Sequence, residues 1–270
     1  MSLLLHMSDP HFGTEQAPVV AALLALAHAR APDALVLSGD VTQRARGAQF
    51  AAARAFCDKL AIAPMLTLPG NHDIPLYNVG ARLLAPYAGY MRAFGATLEP
   101  VLETDSLLVI GVNTTRAVRH KHGVVSPAQI SRVAEQLARA RAGQLRIVVT
   151  HQPAAVLRPE DEHDRLRGAE PALQAWAEAG ADLILGGHIH LPYVMDLQAR
   201  QPATPRPMWC VQAGTALSSR IRHNTCNSVN LILWQGSAHQ GERSCTVERC
   251  DYSPASGRFE TASVTTLALG

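Results

Sequence analysis

The sequence predicts an α/β fold built on a mostly parallel sheet, with an antiparallel part contributed by the C-terminal third of the chain. Short apolar runs alternate with helix-like segments over the first two-thirds, as expected when helices connect parallel strands. After a proline-rich stretch at residues 202–207, short strands follow one another without intervening helices. No internal repeat or linker divides the 270 residues, so we expect a single domain over residues 1–270.

The helices and strands are predicted in chain order from apolar periodicity and from the residues that begin and end each segment. Over the first two-thirds, the predicted strands are residues 3–7, 34–37, 65–68, 107–112, 146–150 and 182–185. The predicted helices are a segment that begins near Pro18, then residues 49–60, 77–94 with a break near Pro86, 127 to about 142, and 171–179. Ser126 and Gln129 form a capping box ahead of the fourth helix, with Pro127 at its first position. Residues 209–213, 229–234, 245–251 and 259–264 are the predicted strands of the C-terminal part.

The charge balance and the apolar pattern exclude several classes of protein. Twenty-four basic and 22 acidic residues give a net charge of +2, which is too close to neutral for a dedicated nucleic-acid binder. No apolar run approaches the roughly 18–20 residues that a membrane span needs, and the chain starts with a strand-like run rather than a secretory signal. The five cysteines form no CxxC pair and are expected as buried, reduced thiols. We therefore expect a cytoplasmic protein with neither a membrane span nor dedicated nucleic-acid binding.

Five of the predicted strands end in residue types that bind hard or borderline metal ions. In chain order, these residues are Asp9 and His11, Asp40, Asn71 with His72 and Asp73, His151, and His188 with His190. A single aspartate after a strand is usually a helix cap, and a single loop histidine is usually solvated or part of a core. Five such strand ends in one chain favour a shared purpose, because α/β sheets bind their ligands at the carboxyl ends of the strands.

The donor types indicate a site for two metal ions rather than a structural zinc. Carboxylate, imidazole and amide groups suit manganese, iron or zinc, and no cysteine is among them. Without His72 and Asp73, these strand ends supply seven candidate ligands. Seven are too many for one ion but suffice for two when one carboxylate is shared. Glycines beside the ligands, among them Gly39, Gly70 and Gly187, allow tight turns and a close approach of the backbone.

The five blocks resemble the signature of the calcineurin-like metallophosphoesterases. They are Asp9-x-His11, Gly39-Asp40, Gly70-Asn71-His72-Asp73, His151 and Gly187-His188-x-His190, in the family's order over residues 9–190. The resemblance implies a double β-sheet sandwich flanked by helices, with mixed sheets, an antiparallel C-terminal part and a two-metal centre at one edge. It also implies that Asp9, His11, Asp40 and His190 hold the first metal ion. Asp40, Asn71, His151 and His188 would hold the second, so that Asp40 bridges the two.

The same resemblance implies hydrolysis of a phosphoester. Two neighbouring cations would lower the pKa of a bridging water, and the resulting hydroxide would attack phosphorus in line with the leaving oxygen. His72 would act as the general acid or stabilise the leaving alkoxide, and Asp73 would orient and charge its imidazole. The alternative for His72 is a histidine that only satisfies the turn around it.

The length and the spacing of the blocks are most similar to those of bacterial class III cyclic-nucleotide phosphodiesterases. We therefore expect a phosphodiesterase that acts on a small nucleotide diester such as 3',5'-cyclic AMP. One departure is Gln152, which stands where many cyclic-nucleotide members have a second histidine. The candidate substrate contacts are Arg116 and Arg119 in a basic loop at residues 116–122, and Arg220 in a C-terminal loop.

Three alternatives stay open on the sequence. A lipid pyrophosphate or phospholipid-headgroup hydrolase would use residues 77–94 as a cap that faces acyl chains, although the aromatic side chains of this segment also fit a core helix. A nuclease of the same superfamily is disfavoured by the near-neutral charge. A metal-free binding scaffold would have lost ligands, and none is missing here. The sequence is compatible with a homo-oligomer, and it leaves open the identity of the two metals (Mn, Fe or Zn) and the cleavage of monoesters.

Overall fold

Two six-stranded sheets pack face to face in the computed structural model, which describes residues 1–119, 121–237 and 243–270. The first sheet has the order β12-β11-β10-β1-β2-β3. Its strands are β1 Ser2–Met7, β2 Ala34–Leu37, β3 Met65–Thr67, β10 Ser228–Ser237, β11 Arg243–Ser253 and β12 Arg258–Leu269. The second sheet has the order β4-β5-β6-β7-β9-β8. Its strands are β4 Val101–Glu103, β5 Leu107–Gly111, β6 Leu145–Val149, β7 Leu183–Gly186, β8 Tyr193–Asp196 and β9 Trp209–Gln212.

Each sheet has a parallel half, and these halves carry the strand ends that the sequence singles out. Strands β1, β2 and β3 run parallel in the first sheet, and β5, β6, β7 and β9 run parallel in the second. The antiparallel C-terminal part is confirmed for β10, β11 and β12, which extend the first sheet from β1. Strand β9 lies in the second sheet, where it pairs antiparallel with β8, as expected of the C-terminal part, and parallel with β7, which was not expected.

Helices cover the outer faces of both sheets, and apolar side chains fill the space between the sheets. The helices are α1 Ala17–Arg30, α2 Gly47–Leu60, α3 Val79–Leu84, α4 Ala88–Phe94, α5 Pro127–Ala138 and α6 Ala169–Glu178. The outer core of the first sheet packs against α1, α2 and α4, and that of the second packs against α5 and α6. The inner core joins residues such as Val36 of β2 and Ile147 of β6, both fully buried. This is the double sandwich that the resemblance implies.

The predicted capping box at the start of α5 is confirmed. Ser126 Oγ accepts a hydrogen bond from the Gln129 amide at 3.3 Å, and Gln129 Oε1 accepts one from the Ser126 amide at 2.9 Å. The helix ends at Ala138, earlier than the expected end near residue 142. Strands β4 and β8 are three and four residues long, and segments that short carry no readable alternation in the sequence.

The aromatic segment at residues 77–94 is part core and part surface. Tyr90 is fully buried, and its hydroxyl shares a hydrogen bond with Thr67 Oγ1 at 2.8 Å. Tyr77 and Leu84, at the other end of the segment, are exposed to solvent. The segment therefore divides at Pro86, between α3 and α4.

The cysteines form no disulfide in the structure. Four of the five are buried, and Cys226 is exposed. Over the described residues, no helix combines the length and the apolar character that a membrane crossing requires.

The imidazole of His6, in β1, is fully buried. Its Nδ1 accepts a hydrogen bond from Asn230 Nδ2 at 3.4 Å, which leaves Nε2–H to donate to Ser38 Oγ at 3.0 Å. Burial lowers the pKa of His6 from 6.5 to about 3, because the charged imidazolium would lose its hydration. His6 is therefore neutral in the folded protein at neutral pH.

Acid should destabilise the metal-free protein in part through His6. The unfolded chain binds a proton at this imidazole below its ordinary pKa of 6.5, whereas the folded chain does so only near the lowered value of about 3. As the pH falls through this window, protons favour unfolding by up to about 1.4 kcal/mol for each pH unit. We expect His6→Gln to lose this part of the pH dependence in urea unfolding with EDTA, and His28→Gln, at an exposed histidine, to retain it. Equal pH slopes for the two variants would contradict the prediction.

Candidate metal centre

The carboxyl ends of five parallel strands from both sheets meet at one edge of the sandwich. The first sheet brings Asp9 and His11 after β1, Asp40 after β2, and Asn71 after β3; the second brings His151 after β6, and His188 and His190 after β7. Backbone hydrogen bonds tie these loops together, from the Asp9 amide to the Gly39 carbonyl at 3.0 Å and from the Gly187 amide to the His151 carbonyl at 2.9 Å. The structure thus brings all seven sequence-predicted ligands to one place.

Five of these seven residues have a left-handed backbone conformation. The φ angles are 51° at Asp9, 44° at His11, 47° at Asp40, 72° at His188 and 54° at His190. Nine non-glycine residues have a positive φ among the described residues, so more than half of them lie at this site. Such a conformation costs a non-glycine residue about 1–2 kcal/mol. The protein therefore tolerates local backbone strain where the candidate ligands converge.

The ligand atoms form two clusters, each of which draws on both sheets. Asp9, His11 and His190 make up one cluster, and Asp40, His151 and His188 make up the other, with the ligand atoms of each within 4.8 Å of one another. In the first cluster, Asp9 Oδ1 lies 3.2 Å from His190 Nε2. In the second, Asp40 Oδ1 lies 3.3 Å from His151 Nε2. Asp40 Oδ2 is also 3.7 Å from His11 Nε2, which places this carboxylate between the two clusters.

Asn71 joins the second cluster through its amide oxygen. Asn71 Oδ1 lies 3.2 Å from His151 Nε2, and the Asn71 side chain is buried. The geometry thus places Asn71 where the resemblance to the family puts a ligand.

The inward-facing nitrogens of two imidazoles fit cation binding. His151 Nδ1–H donates to the Ser38 carbonyl at 2.9 Å, and His190 Nδ1–H donates to the Arg220 carbonyl at 2.6 Å. In a neutral imidazole, the Nε2 atom then carries a lone pair, and both of these lone pairs face carboxylate oxygens. A cation, or an added proton, is needed to make such an arrangement favourable.

Two further buried atoms support the same conclusion. His11 Nδ1 and His188 Nδ1 have no hydrogen-bond partner in the described part of the chain. Buried polar atoms of this kind are rare in folded proteins unless something binds them. The donor set therefore fits two metal ions.

The carboxylates of the site remain ionised despite their burial. Burial acts to raise the pKa of Asp9 and Asp40, but the neighbouring imidazoles, His190 for Asp9 and His151 for Asp40, hold both below their ordinary range. For His151, burial acts to lower the pKa, but Asp40 outweighs it and raises the pKa to about 9. In the metal-free protein, a proton at His151 thus takes the place of a cation, and metal binding would release it.

Asp73 does not orient the imidazole of His72, contrary to the sequence-based expectation. The Asp73 carboxylate accepts hydrogen bonds from the amides of Val41, Thr42 and Gly70 and from the Thr42 hydroxyl, at 2.8–3.0 Å. His72 instead donates its Nδ1–H to the Gln43 carbonyl at 3.0 Å. Asp73 therefore joins the loops that follow β2 and β3, and the Gln43 carbonyl sets the orientation of the His72 ring.

A cavity of about 500 Å³ opens beside the second cluster. Its lining includes Asp40, Asn71, His72, Lys121, Asp161, Asp164, His188, His190, Arg220 and Arg222. Arg220 Nη1 lies 3.1 Å from His72 Nε2 and 3.2 Å from Gln43 Oε1, so the predicted contact Arg220 does reach the site. Arg222 is paired with the buried carboxylate of Asp161 at 2.9 Å.

Arg116 and Arg119 do not line this cavity in the part of the chain that the structure describes. Arg116 donates to the carbonyls of Asn113 and Thr115 and to Gln129 Oε1, so it braces the start of α5. The Arg119 side chain is exposed. The basic loop reaches the cavity through Lys121 instead, and His120 lies outside the described residues.

Two residues of the cavity wall, Asp161 and Asp164, are missed by sequence reasoning. They belong to an acidic 3₁₀ turn at Pro159–Asp164, and Asp164 Oδ1 lies 3.7 Å from His188 Nε2. An acidic run in a loop is ordinarily solvated, so the composition of this turn does not indicate a functional site. The one pointer is its position between His151 and the next strand end at His188.

The fold and its two ligand clusters define a metal-dependent phosphoric ester hydrolase. A profile of the calcineurin-like phosphoesterases matches residues 3–192, well over half of the chain. The chain therefore belongs to the calcineurin-like phosphoesterase family. No curated protein matches it significantly.

Solved structures share this fold at low sequence identity. Purple acid phosphatase PPD1 from yellow lupin (Lupinus luteus) seeds superposes with a TM-score of 0.71 at 12% identity, over 99% of this chain and 53% of that one. This chain thus spans about half of the lupin enzyme. A dimetal phosphatase from Danio rerio has a TM-score of 0.58 at 10% identity, over 100% and 99% of the two chains. GAP50, the anchor in the inner membrane complex of Plasmodium, has a TM-score of 0.59 at 13% identity, over 100% and 89%.

Gly187→Ala should weaken metal binding. A Cβ atom at this position would lie 1.9 Å from Ser8 Oγ and 2.3 Å from Asp9 Oδ2, and the Asp9 carboxylate is also held by the His188 amide at 2.8 Å. Displacing Asp9 should lower metal affinity by about 10- to 100-fold, the range for groups that support a ligand. Titration of the metal-free protein with Mn²⁺ measures the change. Gly47→Ala is the control, because its Cβ would meet open space, and a loss of similar size in both variants would count against the prediction.

Proposed function

We propose that the protein is a phosphodiesterase of small nucleotide diesters such as 3',5'-cyclic AMP, dependent on two metal ions. The cavity beside the metal clusters supports this proposal. Its volume of about 500 Å³ suits a mononucleotide. Lys121 and Arg220 line this cavity and provide positive charge for a phosphate. The resemblance of the block spacing to class III cyclic-nucleotide phosphodiesterases supports the same substrate class.

The clusters hold the ions in the proposed reaction, with Asp40 shared between them. Two cations held there would supply a nucleophile at neutral pH and neutralise charge on the phosphoryl oxygens. Asp9, His11, Asp40 and His190 would bind one ion, and Asp40, Asn71, His151 and His188 the other. The carbonyls of Ser38 and Arg220 keep the Nδ1 protons of His151 and His190 in place, so that Nε2 faces the cation.

His72 and Arg220 would act together on the substrate. Because the Gln43 carbonyl holds a proton on His72 Nδ1, any proton that His72 transfers must reside on Nε2. In the structure, Nε2 accepts a hydrogen bond from Arg220 Nη1 at 3.1 Å. A bound phosphate would draw the guanidinium toward itself. His72 Nε2 could then bind a proton and donate it to the leaving oxygen.

The class of ester is tested with purified protein reconstituted with Mn²⁺. We expect a higher kcat/KM for bis(p-nitrophenyl) phosphate than for p-nitrophenyl phosphate, together with release of AMP from cyclic AMP. EDTA should abolish all three activities, and added Mn²⁺ should restore them. A preference for the monoester, or turnover that EDTA leaves unchanged, would contradict the proposal.

His72→Ala should lower kcat and leave the metal content unchanged. The expected loss is about 10²–10⁴-fold for cyclic AMP, whose alkoxide leaving group needs a proton. It should be much smaller for bis(p-nitrophenyl) phosphate, since p-nitrophenolate leaves without one. Kinetics with both substrates and metal analysis of the variant measure these effects, with His28→Ala as the control. Equal losses on both substrates would remove His72 from the role of general acid.

A second candidate function is hydrolysis of a lipid pyrophosphate or phospholipid headgroup. It is favoured by the exposed apolar side chains at the start of the 77–94 segment, among them Tyr77 and Leu84. Such an enzyme would be more active toward lipid substrate in mixed detergent micelles than toward soluble diesters. The metal-free scaffold is disfavoured, because all seven candidate ligands are present and converge.

A further inference from the structure

One surface of the protein concentrates exposed apolar side chains. Eleven large apolar side chains are exposed among the described residues, and five of them lie within residues 77–91. They are Tyr77, Val79, Leu83, Leu84 and Met91, and the first four are 77%, 63%, 66% and 88% exposed. We call this surface the α3 face. Exposed apolar side chains grouped in this way ordinarily mark a site of interaction.

Helix α3 contributes no buried side chain to the core. None of its residues is buried, which is unusual for a helix in which three of six side chains are Val or Leu. A local cap starts it, since Asn78 Oδ1 accepts a hydrogen bond from the Ala81 amide at 2.9 Å. The helix is thus formed locally, and its apolar side chains have no role in folding that the structure shows.

Arginines surround the α3 face, and acidic residues are absent from the segments that form it. Residues 41–57 and 74–98 contain no aspartate or glutamate. Arg44, Arg46 and Arg92 line a cleft of about 510 Å³ together with Tyr77, and the Arg44 guanidinium lies over the Tyr77 ring at 5.5 Å. The face therefore combines exposed aliphatic side chains with a cleft whose lining contains three arginines and no acidic residue.

The combination of exposed apolar side chains and arginines restricts which kind of partner fits the α3 face. A second copy of the chain, docked through the same face about a two-fold axis, would bring the two arginine rims together, which is repulsive. A nucleic acid would satisfy the arginines but would leave Leu83 and Leu84 in water. A bilayer of anionic phospholipids satisfies both, because it accepts apolar side chains at its interface and attracts arginine to its surface.

We infer that the α3 face docks the protein on an anionic phospholipid bilayer. The aliphatic side chains of α3 insert at the level of the headgroups, while Arg44, Arg46 and Arg92 contact lipid phosphates. The loop that carries Arg44 also carries Gln43, whose carbonyl accepts the His72 hydrogen bond at 3.0 Å. Docking therefore sets the catalytic cavity next to the membrane surface. The inference does not depend on which ester the enzyme hydrolyses.

The test is co-sedimentation of the purified, metal-loaded protein with vesicles of phosphatidylcholine, with and without phosphatidylglycerol. We expect binding to the anionic vesicles and little binding to pure phosphatidylcholine. The double variant Leu83→Ser/Leu84→Ser should bind the anionic vesicles at least about tenfold more weakly. Arg44→Gln/Arg46→Gln should weaken binding by about tenfold or more, and high salt should have a similar effect.

Matched controls separate docking from loss of folding. Val264→Ser removes an apolar side chain on β12 that is 61% exposed, and Arg258→Gln removes an exposed arginine outside the face; both should bind like the wild type. Thermal unfolding and metal content are measured for every variant. As an independent readout, Tyr77→Trp should shift its fluorescence to shorter wavelengths when anionic vesicles are added.

Three outcomes would overturn the inference. They are absence of wild-type binding, equal binding to neutral and anionic vesicles, and unchanged binding of the Leu83/Leu84 variant. A protein that binds no vesicle but self-associates through this face would assign the face to a protein partner instead. None of these results bears on the phosphodiesterase assays, so the two proposals fail separately.

Discussion

The burial of two carboxylates among imidazoles is the constraint on which the rest of the structure depends. Asp9 and Asp40 are almost fully removed from water, and each lies within about 4 Å of histidine nitrogens. Buried charges of one sign are costly unless opposite charge is supplied close by. The structure meets this cost with the protonated imidazole of His151 when metal is absent, and the donor set is suited to cations when metal is present. The strained backbone at five of the ligands is the second cost of the same arrangement.

The apolar core and the candidate metal centre occupy different parts of the sandwich, and both sheets contribute to each. Apolar side chains from both sheets fill the interior, and helices cover both outer faces. The candidate metal ligands lie together at the edge where the parallel strands end. Asp73 is an example of a structural residue at this edge. Its carboxylate does not contact the His72 imidazole; instead it accepts backbone hydrogen bonds that join the loops after β2 and β3.

Much of the fold and the convergence of the candidate ligands could be predicted from the sequence, since both rest on local patterns. The strand ends at Asp9, Asp40 and His151 are visible as apolar runs followed by polar residues, and the capping box at Ser126 predicts the start of α5 correctly. Contacts between distant segments could not be predicted in the same way. Nothing local shows that Gln43 rather than Asp73 holds His72, that Arg116 braces a helix, or that Asp161 and Asp164 reach the cavity. The parallel pairing of β9 with β7 likewise joins two separate segments, and no local pattern shows it.

Each ligand cluster contains residues from both halves of the sandwich, with Asp9 and His11 opposite His190, and Asp40 opposite His151 and His188. A cation in either cluster would therefore cross-link the two sheets at their shared edge. A shift of one sheet relative to the other would therefore distort both clusters at once. The packing between the sheets would thus influence how precisely the two candidate clusters are positioned relative to each other.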